Sequence, residues 1–227
     1  MIQNNKCFED VEIEYNKNIS LVRYEDDNEI SFYSHIVPNM YDHNFTYLKR
    51  PYQLDELIKV VAREKEENSK NNKNYEKICL KISENISESI KSFCDNENIE
   101  YDEITFMSIC KDKIKNYKSY NNVAIVLVDD EDTLNKFIKV NYLEDKKISK
   151  QYAENRKKLI CKEYNNPNFK LYLAYYNGKA AGTAELFIFN NYGKVENVFV
   201  DEEFRNNGIC TEILKKVIKD NKLTLQL

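Results

Sequence analysis

The spacing of apolar positions changes along the chain, and the expected elements change with it. Leu54, Leu57, Ile58 and Val61 recur at i, i+3, i+4 and i+7, the repeat of one buried helical face, so a helix is expected over residues 53–66. Before it, residues 11–24 and 31–37 have strand-like composition, and Pro38 interrupts the second run. Residues 66–74 hold no large apolar side chain and read as a solvated loop. Ile78, Leu80 and Ile82 then alternate as in a strand. Ile86, Ile90, Phe93 and Cys94 follow at helical spacing behind Asn85 and Glu88, a pair that resembles a capping box. Ile104, Phe106 and residues 107–109 supply another strand, giving the strand, helix, strand order of an α/β layer.

The pattern sharpens beyond residue 122. Residues 123–128 are continuously apolar, as in a strand buried on both faces. The acids of 129–132 suit the start of a helix carrying Leu134, Phe137 and Ile138, and a second helix is expected near 146–163, with Ile148, Tyr152, Leu159 and Ile160 on one side. Phe169, Leu171, Leu173 and Tyr175 alternate, and Asn177-Gly178 is the dipeptide of a two-residue hairpin turn. Residues 181–189 return as the partner strand, 190–193 turn again, and 195–200 form a third, so three consecutive antiparallel strands are expected. Ile209, Ile213, Leu214, Val217 and Ile218 mark a closing helix, and 223–227 one more strand. The expectation is an α/β chain with an accessory α/β segment over 1–120, a second domain over 121–227, and the boundary within 112–121.

Composition narrows the function. Of 227 residues, 42% are hydrophobic and 32% charged, enough apolar surface for a core and too much for disorder. A net charge of -4 argues against the basic field of non-specific nucleic-acid binding. The longest apolar run has six residues, far short of a membrane span, and the polar, acidic start lacks the form of a secretory signal, so a cytoplasmic protein is expected. Six cysteines stand far apart, never as C-x-x-C, and only two histidines are present. No metal site is expected, and the thiols read as buried or half-buried.

Glycine is the most unevenly placed residue: all four lie between 178 and 208. Where residues 195–200 run through one such glycine straight into a helix, unpaired amides gather at the positive end of the helix dipole, a place suited to phosphate. Gly208 removes a β-carbon where phosphate comes close, and Asn206, Asn207, Ile209, Cys210 and Thr211 can turn their amides toward it.

The run Val198-Phe199-Val200, four residues, then Arg205-Asn206-Asn207-Gly208-Ile209-Cys210 resembles the acyl-CoA loop of the GNAT superfamily of N-acyltransferases. That loop reads Arg or Gln, two residues, Gly, one residue, then Gly or Ala, after a V-x-V strand end. The resemblance covers about 122–227 and implies a mixed, mostly antiparallel sheet flanked by helices; residues 1–120 do not match it residue by residue, and their strand, helix, strand order leaves open a degenerate half of the same fold. The edge of Val198, Phe199 and Val200 would pair with the pantetheine arm of acetyl-CoA, and Arg205 to Thr211 would cradle its diphosphate. It further implies acetyl transfer to an amine, from a small molecule or a peptide, by direct attack. Glu196 is the first candidate for the base and Glu185, on the neighbouring strand, the second. Cys210 replaces the usual Gly or Ala. A helix N-terminus lowers a thiol pKa, but direct transfer makes a packed or amide-donating Cys210 the expectation rather than a nucleophile. The family continues past the strand corresponding to 223–227 with a helix and further strands, so the resemblance implies that the chain is truncated, that the N-terminal region fills that place, or that acyl transfer is lost. With it stands the alternative of a non-catalytic acyl-CoA-binding or protein-interaction module. The number of subunits is not readable from the residues.

Overall fold

The computed structural model describes the backbone of residues 2–71, 73, 75–81, 85–109, 119–221 and 223–226. It comprises two compact units, Met1–Thr105 and Phe106–Leu227. The stretch 112–121, where a boundary is expected, lies mostly outside the described residues.

The first unit begins with helix α1 (Ile2–Ile19) and continues β1 (Leu21–Glu25), β2 (Glu29–Tyr33), β3 (Thr46–Leu48), α2 (Leu54–Lys70), β4 (Ile78–Cys79) and α3 (Glu88–Glu97). Its sheet has the order β1-β2-β3-β4, antiparallel except for the β3–β4 pair. The strand expected at 11–24 is therefore helical until Ile19. Val11, Tyr15 and Ile19 are buried four residues apart, and that spacing prevails over their β propensity. The polar stretch after residue 66 is also mostly helix, because α2 runs to Lys70, whose ammonium pairs with Glu66 at 3.0 Å and Glu67 at 2.9 Å. The buried face of α2 is Leu57, Val60, Glu64 and Asn68, so Ile58 points to solvent. Helix α3 is capped by Ser87, whose hydroxyl accepts the Ile90 amide, rather than by Asn85. Ile82 lies outside the described residues.

The second unit contains β5 (Ser108–Ile109), β6 (Val123–Leu127), α4 (Glu131–Ile148), α5 (Lys150–Tyr164), β7 (Phe169–Tyr176), β8 (Lys179–Phe189), β9 (Tyr192–Val200), α6 (Ile209–Asn221) and β10 (Thr224–Gln226). The sheet order is β5-β10-β9-β8-β7-β6, with β9 and β10 the parallel pair. Alternation along β7 separates two cores. Leu171 and Leu173 face Phe137, Ile138 and Ile160 of α4 and α5, while Tyr172 and Ala174 face Ile213, Val217 and Ile218 of α6.

The three antiparallel strands form as expected, and Asn177 (φ 48°) and Gly178 (φ 78°) make the hairpin turn. Asp130 caps α4 by accepting the Thr133 amide at 2.7 Å. The next helix starts later than expected, at Lys150. Extended Ser149 ends α4 and its hydroxyl accepts the Tyr152 amide, which makes it the N-cap of α5. The expectation that 123–128 is buried on both faces fails: β6 is the edge of its sheet, with Ala124 and Leu127 exposed. Ile104 is likewise exposed, and only Ser108–Ile109 of the expected strand pairs.

Candidate functional site

The end of β9, a short turn and the start of α6 meet around one pocket of about 500 Å³. It is lined by Val198, Phe199 and Val200, by Phe204, Arg205 and Asn206, and by Gly208, Ile209, Cys210 and Thr211. Two residues in the left-handed region, Asn206 (φ 65°) and Gly208 (φ 76°), fold the chain tightly between strand and helix. The Gly208 carbonyl accepts the Glu212 amide at 3.0 Å and closes the first turn of α6. The amides of Ile209, Cys210 and Thr211 therefore have no carbonyl one turn back within the helix, and they stand at its positive end.

Side chains brace this loop from behind. Arg205 Nε donates to the Val200 carbonyl at 3.0 Å and joins the turn to the strand. Asn207 Nδ2 donates to the carbonyls of Phe204 (3.1 Å) and Arg205 (3.2 Å), and its Oδ1 accepts from the Tyr176 hydroxyl at 3.1 Å. Of the run Val198 to Val200 and Arg205 to Thr211, Asn207 is thus the member outside the pocket wall, its side chain committed to the loop itself. Cys210 is exposed, and desolvation pushes its thiol pKa up rather than down. This is opposite to the activation of a nucleophilic thiol.

Among the described residues the strand edge beside the pocket is unpaired beyond Lys194. β10 pairs with β9 at Tyr192, Gly193 and Lys194, and among the described residues no strand covers that side of β9 further on. Between Glu196 and Phe199 the ladder to β8 shifts: Glu185 faces Glu196 and Thr183 faces Phe199, so β9 carries one extra residue. Asn197 sits in this bulge with φ 50°.

The two candidate carboxylates have different surroundings. Glu196 is 32% exposed at its side chain and pairs with Lys194 Nζ at 2.7 Å. Glu185 is 1% exposed; it accepts from Arg156 Nη2 at 2.8 Å and from Asn197 Nδ2. Both Glu185 oxygens are thus hydrogen-bonded to other side chains. Burial disfavours the charge of Arg156, but the carboxylates around it, Glu185 foremost at 2.8 Å, outweigh that and raise its pKa. Burial raises Glu163 well above the carboxylate range and Asp145 to about 6.

Two further residues shape the site without a motif to announce them. A β-carbon on Gly182 would stand 2.7 Å from the Phe199 carbonyl oxygen, so glycine lets β8 approach the bulged part of β9. The ring of Tyr120 lies over Gly208. The confinement of glycine to 178–208 pointed toward Gly182, whereas nothing in the sequence pointed toward Tyr120.

Among the described residues no group of three or more His, Cys, Asp or Glu side chains is placed to hold a metal ion, and no helix is long and apolar enough to cross a membrane. Residues 136–222 match the family model described as the acetyltransferase (GNAT) family. No curated protein sequence matches the chain. The fold is similar to a functionally unknown conserved protein from Staphylococcus epidermidis, with a TM-score of 0.74, 19% identity, and coverage of 92% of this chain and 82% of the other. It is also similar to a GCN5-related N-acetyltransferase from Kribbella flavida, with a TM-score of 0.64, 8% identity, and coverage of 96% and 82%.

Proposed function

We propose that this chain, which carries a GNAT acetyltransferase-family domain over residues 136–222 and has the fold of a GCN5-related N-acetyltransferase, transfers an acetyl group from acetyl-CoA to an amine. The observation that carries this reading is the pocket itself, where an open strand edge and the amides of a helix N-terminus line one wall. A strand edge suits the amides of a pantetheine arm, and the helix start suits a diphosphate. Arg205, half exposed beside the loop, adds a positive charge on the same side.

The donor supplies an acyl carbon activated as a thioester. Val198, Phe199 and Val200 orient the arm by their backbone groups, and Asn206 to Thr211 hold the diphosphate, with Asn207 contributing its amide while its side chain braces the turn. The amine nitrogen bonds to the acyl carbon as the carbon–sulfur bond breaks, and the thiol form of CoA leaves after protonation. Glu196 takes the proton released by the amine, directly or through one water, because its carboxylate is the solvent-accessible one of the two candidates. Cys210, with its raised pKa, stays a thiol and forms no acyl intermediate. Positioning, rather than covalent catalysis, supplies the rate. The acceptor is an amine of a small molecule or a peptide, and the setting is the cytoplasm.

Isothermal titration with CoA tests the site, and CoA release from acetyl-CoA over a panel of amines tests turnover. The reading expects binding, release with at least one amine, and a fall of about 100-fold in kcat for Glu196→Gln at unchanged CoA affinity. Binding without release from any amine would instead make the chain an acyl-CoA-binding module.

A further inference from the structure

We infer that Glu185 is a positioning residue for the acyl donor: with Arg156 it anchors the Asn197 bulge and so sets the strand edge that binds the pantetheine arm. The inference rests on the acyl-CoA reading of the pocket.

The bulge is an unusual backbone state that needs support. Asn197 has positive φ inside a strand, a region that only Gly enters freely and that Asn tolerates better than other residues. Such a conformation persists where its surroundings over-determine it. Here the support is a chain of three side chains, Arg156 and Glu185 buried and Asn197 exposed at its end. Arg156 of α5 donates Nη2 to Glu185 Oε1, and Asn197 Nδ2 donates to Glu185 Oε2, so each carboxylate oxygen serves a different element. Arg156 is 3% exposed, and Glu163 stands 4.0 Å from it, farther than Glu185. A carboxylate pinned by a buried guanidinium cannot swing, and its second oxygen therefore fixes where the Asn197 amide must be.

The bulge leads directly into the pocket wall. Val198, Phe199 and Val200 come immediately after Asn197, and the extra residue resets which of their backbone groups face the open edge. Gly182 opposite Val200 admits the close approach of the displaced Phe199 carbonyl. Helix α5, through Arg156, thus fixes the register of donor contacts although α5 contributes no residue to the pocket wall.

The test is Asn197→Gly. Glycine adopts the same positive φ without strain, leaves no buried charge unpaired, and removes only the tether to Glu185. CoA affinity by titration calorimetry, KM for acetyl-CoA, kcat and the melting temperature are measured on wild type and variant. The expected result is a rise of about 10-fold in both Kd for CoA and KM, larger than any fall in kcat, with the melting temperature within about 2 °C of wild type. Glu185→Gln, if it folds, gives the same split. Wild-type affinity in Asn197→Gly overturns the inference while leaving the acyl-CoA reading intact. A wild-type protein that binds no CoA removes both.

Discussion

The ring of Tyr120 occupies the place into which a β-carbon on Gly208 would project. Tyr120 also donates its backbone N–H to the Glu212 carboxylate of α6 at 3.3 Å, so the segment before β6 is fastened to the first turn of that helix. Glycine at 208 is thus required by an aromatic neighbour and by its φ of 76°, in addition to any approach of phosphate.

Gly208→Ala is therefore expected to cost about 2 to 3 kcal/mol, part from the left-handed backbone and part from collision with the ring. In a Tyr120→Ala background the collision vanishes and the backbone part remains, so the same substitution costs about 1 kcal/mol. Urea unfolding of the four proteins measures the coupling. Equal costs in both backgrounds would mean that the ring yields freely and that packing does not dictate the glycine.

The raised pKa of Asp145 makes stability fall as pH rises. Its ordinary value is 3.8, and burial lifts it to about 6 in the folded chain, with Arg156 opposing the shift. The native state thus holds this proton more tightly than the unfolded state, and the stabilisation it gives below pH 4 is lost as pH rises through 6. Asp145→Asn keeps the side chain neutral throughout. Allowing for solvent screening at this partly exposed site, the variant gains about 1 kcal/mol over wild type at pH 7.5 and almost nothing at pH 4. Melting curves of both proteins at the two values decide it; a constant difference would refute ionisation of Asp145 as the cause.

Cys210 is exposed, yet its thiol should alkylate more slowly than a free cysteine at pH 7.5, because desolvation raises its pKa. Timed iodoacetamide labelling read by peptide mass spectrometry gives the rate, and bound CoA should slow it further, since Cys210 lines the pocket. Labelling several times faster than free cysteine would restore an activated thiol to consideration.

The reach of sequence reasoning differed between elements for identifiable reasons. The Asn177-Gly178 hairpin and the Asp130 cap follow from local chemistry, since a side chain or a missing one decides the backbone within two or three residues. Helix α1 was obscured because its Val, Ile and Tyr residues favour strands in composition while their four-residue spacing favours a helix. The apolar run of β6 indicates a strand correctly but says nothing of which neighbours it has, and an edge position leaves half of it exposed. Arg156 lies in a helix crowded with lysines, where nothing marks one cation as buried against Glu185.

The residues alone determined the local machinery: the glycine-bearing turn between β9 and α6, the amides of that helix start, and the antiparallel strands leading into it. The tertiary structure decided which carboxylate is accessible, why Asn197 can hold its backbone angle, and what lies against Gly208. The physical reason is range. Turns and caps are set by groups a few residues apart, whereas Tyr120 and Gly208, or Arg156 and Glu185, meet only when separate elements pack, and burial then fixes their charge and freedom.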